Sequence, residues 1–244
     1  MGIYDRYVSV INEMLLKNDI SNFKSNSGYN YILEHVSYEQ GLEYLRVIKS
    51  NYKLTIAEVF EYTMKNDRVG NPVKYLYEGV EIAPTSLRYV LHSLIILEHI
   101  KGLGKESVRF VEIGSGYGGL CLALDHFCGR FGVRVDSYNI VEKDEVVPFN
   151  RKYLENFGLS FPVRYHFGSL FGRTVEDSDL YLISNWALSG FSFEEKVGYM
   201  DNLFGRVSHG FMVWNTFPML PLDGEYSAVR EFPQTGKDNR YIRF

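Results

Sequence analysis

The stretch that decides the fold is Val108–Leu120, VRFVEIGSGYGGL. Its first six residues read as a buried strand. That strand runs into Gly114, Gly116, Gly118 and Gly119 and then into a helix. Glycines let a backbone turn sharply and approach a ligand closely, and the N–H groups of a helix start point at negative charge. Gly114, Gly116 and Gly119 also satisfy the G-x-G-x-x-G spacing of dinucleotide enzymes, so the glycines alone do not choose the cofactor. Two other features do. Glu112, two residues before the first glycine, would repel a pyrophosphate but suits a cationic amino-acid moiety. The loop also follows a long helical segment, whereas a dinucleotide fold more often opens with it.

Downstream of the loop, short apolar runs at 134–141, 162–167, 179–184 and 210–215 read as strands. Helical stretches at 118–128, 144–157 and 193–204 alternate with them, the last opened by a Ser192/Glu195 capping box. Such alternation predicts a mainly parallel sheet covered on both faces. At the C-terminus, VREFPQT and NRYIRF flank Gly236-Lys237-Asp238-Asn239, four turn residues, and predict a β-hairpin at the sheet edge. The second strand ends at Glu142, which is 142 − 118 = 24 positions after Gly118. An acidic residue grips ribose hydroxyls at about 20 positions past such a loop. A carboxylate there accepts from both hydroxyls of an adenosyl ribose that carries no 2′-phosphate.

Upstream, the pattern is helical. Residues 3–17 carry apolar groups at helical spacing, Ser37/Gln40 and Thr55/Glu58 form capping boxes, and a helix follows Pro84 to about Lys101. The segment 68–84 reads as a loop on its glycines and prolines. The division expected is a helical cap over 1–83 and an α/β domain over 84–244. The cap would lie beside the carboxyl edge of the sheet, with Tyr75 and Tyr77 in the acceptor pocket.

The 244 residues hold 26 Lys plus Arg against 30 Asp plus Glu, a net charge of −4 that argues against nucleic-acid binding through bulk charge. Tyr, Phe and Trp make up 16% of the chain, enough to furnish both a core and a ring-lined pocket. Cys121 and Cys128 have neither metal nor disulfide spacing and read as buried free thiols. No apolar signal core, complete myristoylation motif or membrane-length apolar run appears, so the expectation is a cytoplasmic protein with no membrane span.

V-E-I-G-S-G-Y-G-G followed by a strand ending in V-E resembles motifs I and II of class I S-adenosylmethionine-dependent methyltransferases. More narrowly, E-I-G-S-G-Y-G-G (112–119), I-S-N-W-A-L-S (183–189) and A-P-T-S-L-R-Y (83–89) resemble the sugar O-methyltransferases of bacterial polysaccharide gene clusters. That subgroup often has an acidic residue after the serine at 189, where this chain has Gly190. The resemblance implies a Rossmann-like seven-stranded sheet with a C-terminal antiparallel hairpin, and S-adenosylmethionine as cofactor. It also implies the site residues. Glu112, Gly114, Ser115, Gly116 and Tyr117 would surround the methionine moiety, with Gly118 completing the loop. Glu142 would hold the ribose, Lys143 would flank the adenine, and Ser169 and Leu170 would border it. Asn185 and Trp186 would face the sulfonium and the acceptor. Thr85, Ser86, Arg88 and Tyr89 could meet the methionine carboxylate.

A neutral sugar hydroxyl needs a general base or a metal. Of six histidines, His92 shares a helix face with Arg88 and Thr85, which makes it the expected base. No metal spacing is present. The acceptor expected is a small molecule, a sugar nucleotide or a glycan precursor, and a homodimer is compatible with the family. Three alternatives stay open: an anionic acceptor oxygen such as a phosphate or phosphoramidate, a nicotinamide-dependent oxidoreductase, and an inactive fold that binds a partner.

Overall fold

A computed structural model describes residues 3–215, 222 and 224–244. The chain opens with α1 (Ile3–Leu16), a 3-10 turn at Phe23–Ser25, and the short α2 (Ser27–Asn30), whose first N–H groups donate to the Asn26 side chain. Helices α3 (Tyr38–Tyr52) and α4 (Ile56–Asp67) start at the expected Ser37/Gln40 and Thr55/Glu58 boxes, both fully formed. The segment read as a loop is instead a hairpin of β1 (Tyr75–Tyr77) and β2 (Val80–Ile82). Its two-residue turn is Glu78-Gly79, both at positive φ (47° and 91°), and Gly79 takes that conformation without steric cost. Tyr77 is buried there, donating to the Tyr38 carbonyl at 3.2 Å, and Tyr75 packs on Tyr38. Neither lines the cleft at Gly114 and Glu142. The hairpin hands on to α5 (Pro84–Gly102), with proline in its first turn.

The α/β part follows as β3 (Ser107–Ile113), α6 (Gly119–Phe127), β4 (Arg134–Glu142), α7 (Val147–Leu154), β5 (Val163–Phe167), β6 (Leu180–Asn185), α8 (Ala187–Gly190), α9 (Phe193–Asn202), β7 (Val207–Trp214), β8 (Ser227–Arg230) and β9 (Arg240–Arg243). The sheet order is β5-β4-β3-β6-β7-β9-β8. Strands β3 to β7 are parallel; β9 runs antiparallel to β7, and β8 pairs antiparallel with β9 at the edge. This is the mostly parallel seven-stranded sheet with a reversed C-terminal hairpin that the sequence implies. The last hairpin differs in length: β8 stops at Arg230, and a nine-position connection, 231–239, replaces the four-residue turn expected.

Side-chain alternation in β3 sends Phe110 toward α5 and α6, and Val111 and Ile113 toward α9. The first face is the larger core and continues without a break into Tyr7, Phe23, Tyr29 and Tyr44 of the N-terminal helices. The strand order reverses beside β3, between β4 and β6, and open α/β sheets bind ligands at the carboxyl edge of such a switch point. Cys121 is buried and Cys128 half-buried, both as free thiols. No helix among the described residues is long and apolar enough to cross a membrane.

Candidate functional site

Between β3 and α6 the backbone takes three left-handed steps, at Gly114 (φ 77°), Gly116 (φ 60°) and Gly118 (φ 98°). Only glycine adopts these freely. The Gly114 N–H donates to the Val141 carbonyl at 3.0 Å, and the Asn150 side chain on α7 donates to the Gly116 carbonyl at 2.6 Å. Glu142, at the end of β4, meets the loop from the other side. One carboxylate oxygen accepts the Gly116 N–H at 3.0 Å and the other its neighbour Lys143 N–H at 2.8 Å. Burial pushes this carboxyl up to about 7 against those two bonds. The Ser115 N–H also stabilises the charged form, and the two oxygens together retain acceptor capacity toward the cleft.

Two clefts adjoin at this point and share Gly114, Glu142, Lys143 and Phe191. The larger, about 390 Å³, is walled by Tyr7, Tyr31, Trp186 and Arg88. The smaller, about 260 Å³, is walled by Ser169, Phe171 and Tyr199. Ser169 is fixed by donating to Asp144 at 2.7 Å.

The structure therefore brings Arg88, Gly114, Gly116, Glu142, Lys143, Ser169, Asn185 and Trp186 to the cleft walls. The other expected residues lie behind them. Tyr117 and Tyr89 pack edge to face in the core below the loop, and Ser86 donates backward to Asp67 at 2.5 Å. Gly118, Ser115, Thr85 and Leu170 are outside the walls; Phe171 stands where Leu170 was expected. Glu112 shares Phe110's face of β3, buried below the loop, with one oxygen accepting the Tyr138 hydroxyl at 2.7 Å.

Arg88 is 2% exposed, yet its guanidinium borders the larger cleft, 4.9 Å from the Trp186 ring. Its Nη2 donates to the Leu33 carbonyl at 2.9 Å, while Nε is buried with no hydrogen-bond partner among the described residues. Trp186 is held at φ 59°, a conformation costly for a bulky residue and concentrated at functional sites. Asn185 beside it has a buried, unpartnered Oδ1.

His92, the expected base, lines neither cleft among the described residues. It lies behind Trp186, 1% exposed, among Trp186, Phe211 and Tyr241 at 5.7, 5.8 and 5.7 Å. Burial, with the Arg88 charge, pushes it down to about 3, which favours the neutral ring. The imidazole at the cleft wall is His35, which sequence reasoning missed. Its ring bonds to the Ile32 backbone, and partial burial together with the Arg88 charge holds it below its ordinary value. Tyr7, Tyr31, Thr235 and Asn239 were missed as well, because segments far apart in sequence meet here.

Glu112 yields a test of the local electrostatics. Burial pushes it up to about 8, so the folded state binds its proton more tightly than the unfolded state does. That contribution to stability is fully present below the unfolded value of about 4.3 and is lost as pH rises toward 8. Glu112→Gln, an isosteric mimic of the protonated acid, is expected to raise stability at pH 8.5 by on the order of 2 kcal/mol, with no gain at pH 5. Urea melts at both pH values check this. An equal effect at both would contradict it.

No protein-family model and no curated protein matches the chain. Parts of the chain are similar to solved structures. One is a S-adenosylmethionine-bound amino pentose methyltransferase, CalS10, from Micromonospora echinaspora: 15% identity, TM-score 0.41, covering 57% of this chain and 56% of that one. Another is the N-terminal domain of EvdMO1 with S-adenosylhomocysteine and D-fucose: 16% identity, TM-score 0.41, 69% of this chain and 73% of that one. A third is a S-adenosylmethionine-dependent methyltransferase from Aquifex aeolicus: 12% identity, TM-score 0.45, 61% and 87%. The chain thus spans little more than half the length of the calicheamicin enzyme it matches.

Proposed function

We propose that the chain is a S-adenosylmethionine-dependent O-methyltransferase acting on a hydroxyl of a sugar or glycan-decoration precursor, in capsule or polysaccharide biosynthesis. The observation that carries the reading is Glu142, a buried carboxylate at the strand end with acceptor capacity left toward the cleft, bonded to the glycine loop and shared by both clefts. That capacity fits the two hydroxyls of a ribose. The cleft of Ser169, Phe171 and Tyr199 suits an adenine, and the buried, unpartnered Nε of Arg88 suits a carboxylate.

The bound cofactor supplies a methyl group on a sulfonium. The protein's share is alignment, exclusion of water and proton removal. Trp186 and Asn185 line the larger cleft at the end of β6, and Tyr7 and Tyr31 wall it as well. His35 takes the acceptor proton: a neutral imidazole with one nitrogen bonded to the Ile32 carbonyl leaves the other as an acceptor. Methylation of an anionic oxygen is the second reading. It is favoured by Arg88 and Lys143 at the cleft wall and would need no base.

Calorimetry tests the cofactor. S-adenosylhomocysteine is expected to bind with micromolar affinity and NADH not at all; the reverse would establish an oxidoreductase instead.

A further inference from the structure

The connection 231–239 folds around one buried carboxylate. Glu231 is 1% exposed and forms no ion pair among the described residues. Its oxygens accept the Thr235 N–H at 2.8 Å, the Thr235 hydroxyl at 2.8 Å and the Asn239 amide at 2.9 Å. The Glu231 N–H donates to the Asn239 carbonyl at 2.9 Å, and the same Asn239 amide nitrogen donates to Thr235 Oγ1 at 2.9 Å. A Cβ at Gly236 would stand 2.7 Å from Asn239 Oδ1, so a side chain there would displace the Asn239 amide from its bonds. Outside this cage, Gln40 on α3 donates to the Gln234 carbonyl at 3.3 Å and the Tyr241 hydroxyl to the Phe232 carbonyl at 3.1 Å.

A buried carboxylate is costly unless its lone pairs are met, and here the loop's own donors meet them. The consequence is chemical as well as structural. Both N–H bonds of the Asn239 amide are spent inside the loop, and the Thr235 hydroxyl spends its proton on Glu231. What the pair retains is acceptor capacity: Asn239 Oδ1 and a lone pair on Thr235 Oγ1. Thr235, Gly236 and Asn239 wall the larger cleft and not the smaller, whose lining includes Ser169 and Phe171.

We propose that the 231–239 connection is the acceptor-reading wall of the cleft, and that Glu231 is its positioning residue, turning Asn239 and Thr235 so that they take hydrogen bonds from the hydroxyls of a neutral saccharide. This rests on the methyltransferase reading and decides between its two acceptor classes. A wall of lone pairs welcomes O–H donors and repels anionic oxygens. Arg88 is then left to the cofactor's carboxylate.

The test loads the full chain with S-adenosylhomocysteine and titrates two probe sets by ligand-observed NMR: methyl glycosides of common hexoses and 6-deoxyhexoses, and the corresponding sugar 1-phosphates. At least one neutral glycoside is expected to bind, at least tenfold tighter than its phosphate. In Glu231→Gln the amide that replaces one oxygen opposes the loop's donors and frees Asn239 to turn. Its affinity for S-adenosylhomocysteine should stay within twofold of the parent, while the preference for glycoside over phosphate falls at least fivefold. A merely structural role would weaken both probes alike. Asn239→Ala, which removes the Oδ1 lone pair together with one of the three donors to Glu231 while leaving both Thr235 donors in place, should show the same loss of preference and serves if Glu231→Gln does not fold. Binding of phosphates as tight as glycosides, no glycoside binding in the loaded protein, or an unchanged preference in both variants would overturn the assignment. Failure of S-adenosylhomocysteine itself to bind would instead overturn the cofactor reading.

Discussion

Glu142→Ala is expected to weaken S-adenosylhomocysteine binding by about 30- to 1,000-fold while the chain stays folded. The variant loses two charge-assisted bonds to the ribose, roughly 2–4 kcal/mol together after water is counted, at 1.4 kcal/mol for each tenfold. It also frees the Gly116 N–H that Glu142 now holds, so the loop itself loosens. Calorimetry, with circular dichroism to confirm the fold, measures the effect. Affinity within threefold of the parent would remove the ribose role from Glu142 and with it the main support for the proposed function.

His35→Ala is expected to lower turnover on a sugar hydroxyl by about 10²–10⁴-fold with cofactor affinity unchanged. The pH profile carries the finer prediction. A protonated imidazole cannot accept a proton, so activity falls as pH drops through the His35 pKa. Partial burial and the Arg88 charge lower that pKa, so the acid limb should lie well below the ordinary histidine value of about 6.5. It should be absent from His35→Ala. His92→Ala is the control: it leaves a cavity behind Trp186 and should lower melting temperature more than rate. Full activity in His35→Ala would shift the reading to an anionic acceptor, for which Arg88→Gln should be the damaging change.

The features read correctly from sequence are those with short-range signals. Ser37/Gln40, Thr55/Glu58 and Ser192/Glu195 each announce a helix within four residues, and all three boxes form. Glu142 was legible because a strand, a glycine loop and a fixed spacing place it. The β1–β2 hairpin was not, because Gly70 and Pro72 beside it read as loop and a Glu-Gly turn is a weaker signal than Asn-Gly. His92 shows where helical spacing stops. It does share a face with Arg88, but one turn further along α5 the wall is closed by Trp186, and burial rather than periodicity decides which side chain meets solvent. The larger cleft was legible only in its sheet-edge half. Tyr7, Tyr31 and His35 meet Thr235 and Asn239 there through tertiary packing, for which no local pattern exists.

The glycine loop is fastened from behind by residues that never touch its ligand. Tyr62 on α4 donates to the Gly119 carbonyl at 2.9 Å, and Asn66 donates to the Tyr117 hydroxyl at 3.2 Å from 51 positions upstream. The Lys24 ammonium sits 4.5 Å from the centre of the Tyr117 ring. A glycine-rich segment left to itself would sample many conformations and surrender that freedom on capturing a nucleoside. Here the freedom is given up when the chain folds, so the ordering cost of ligand capture is met in advance. Helix α4 thereby shares in the affinity of a site it does not line.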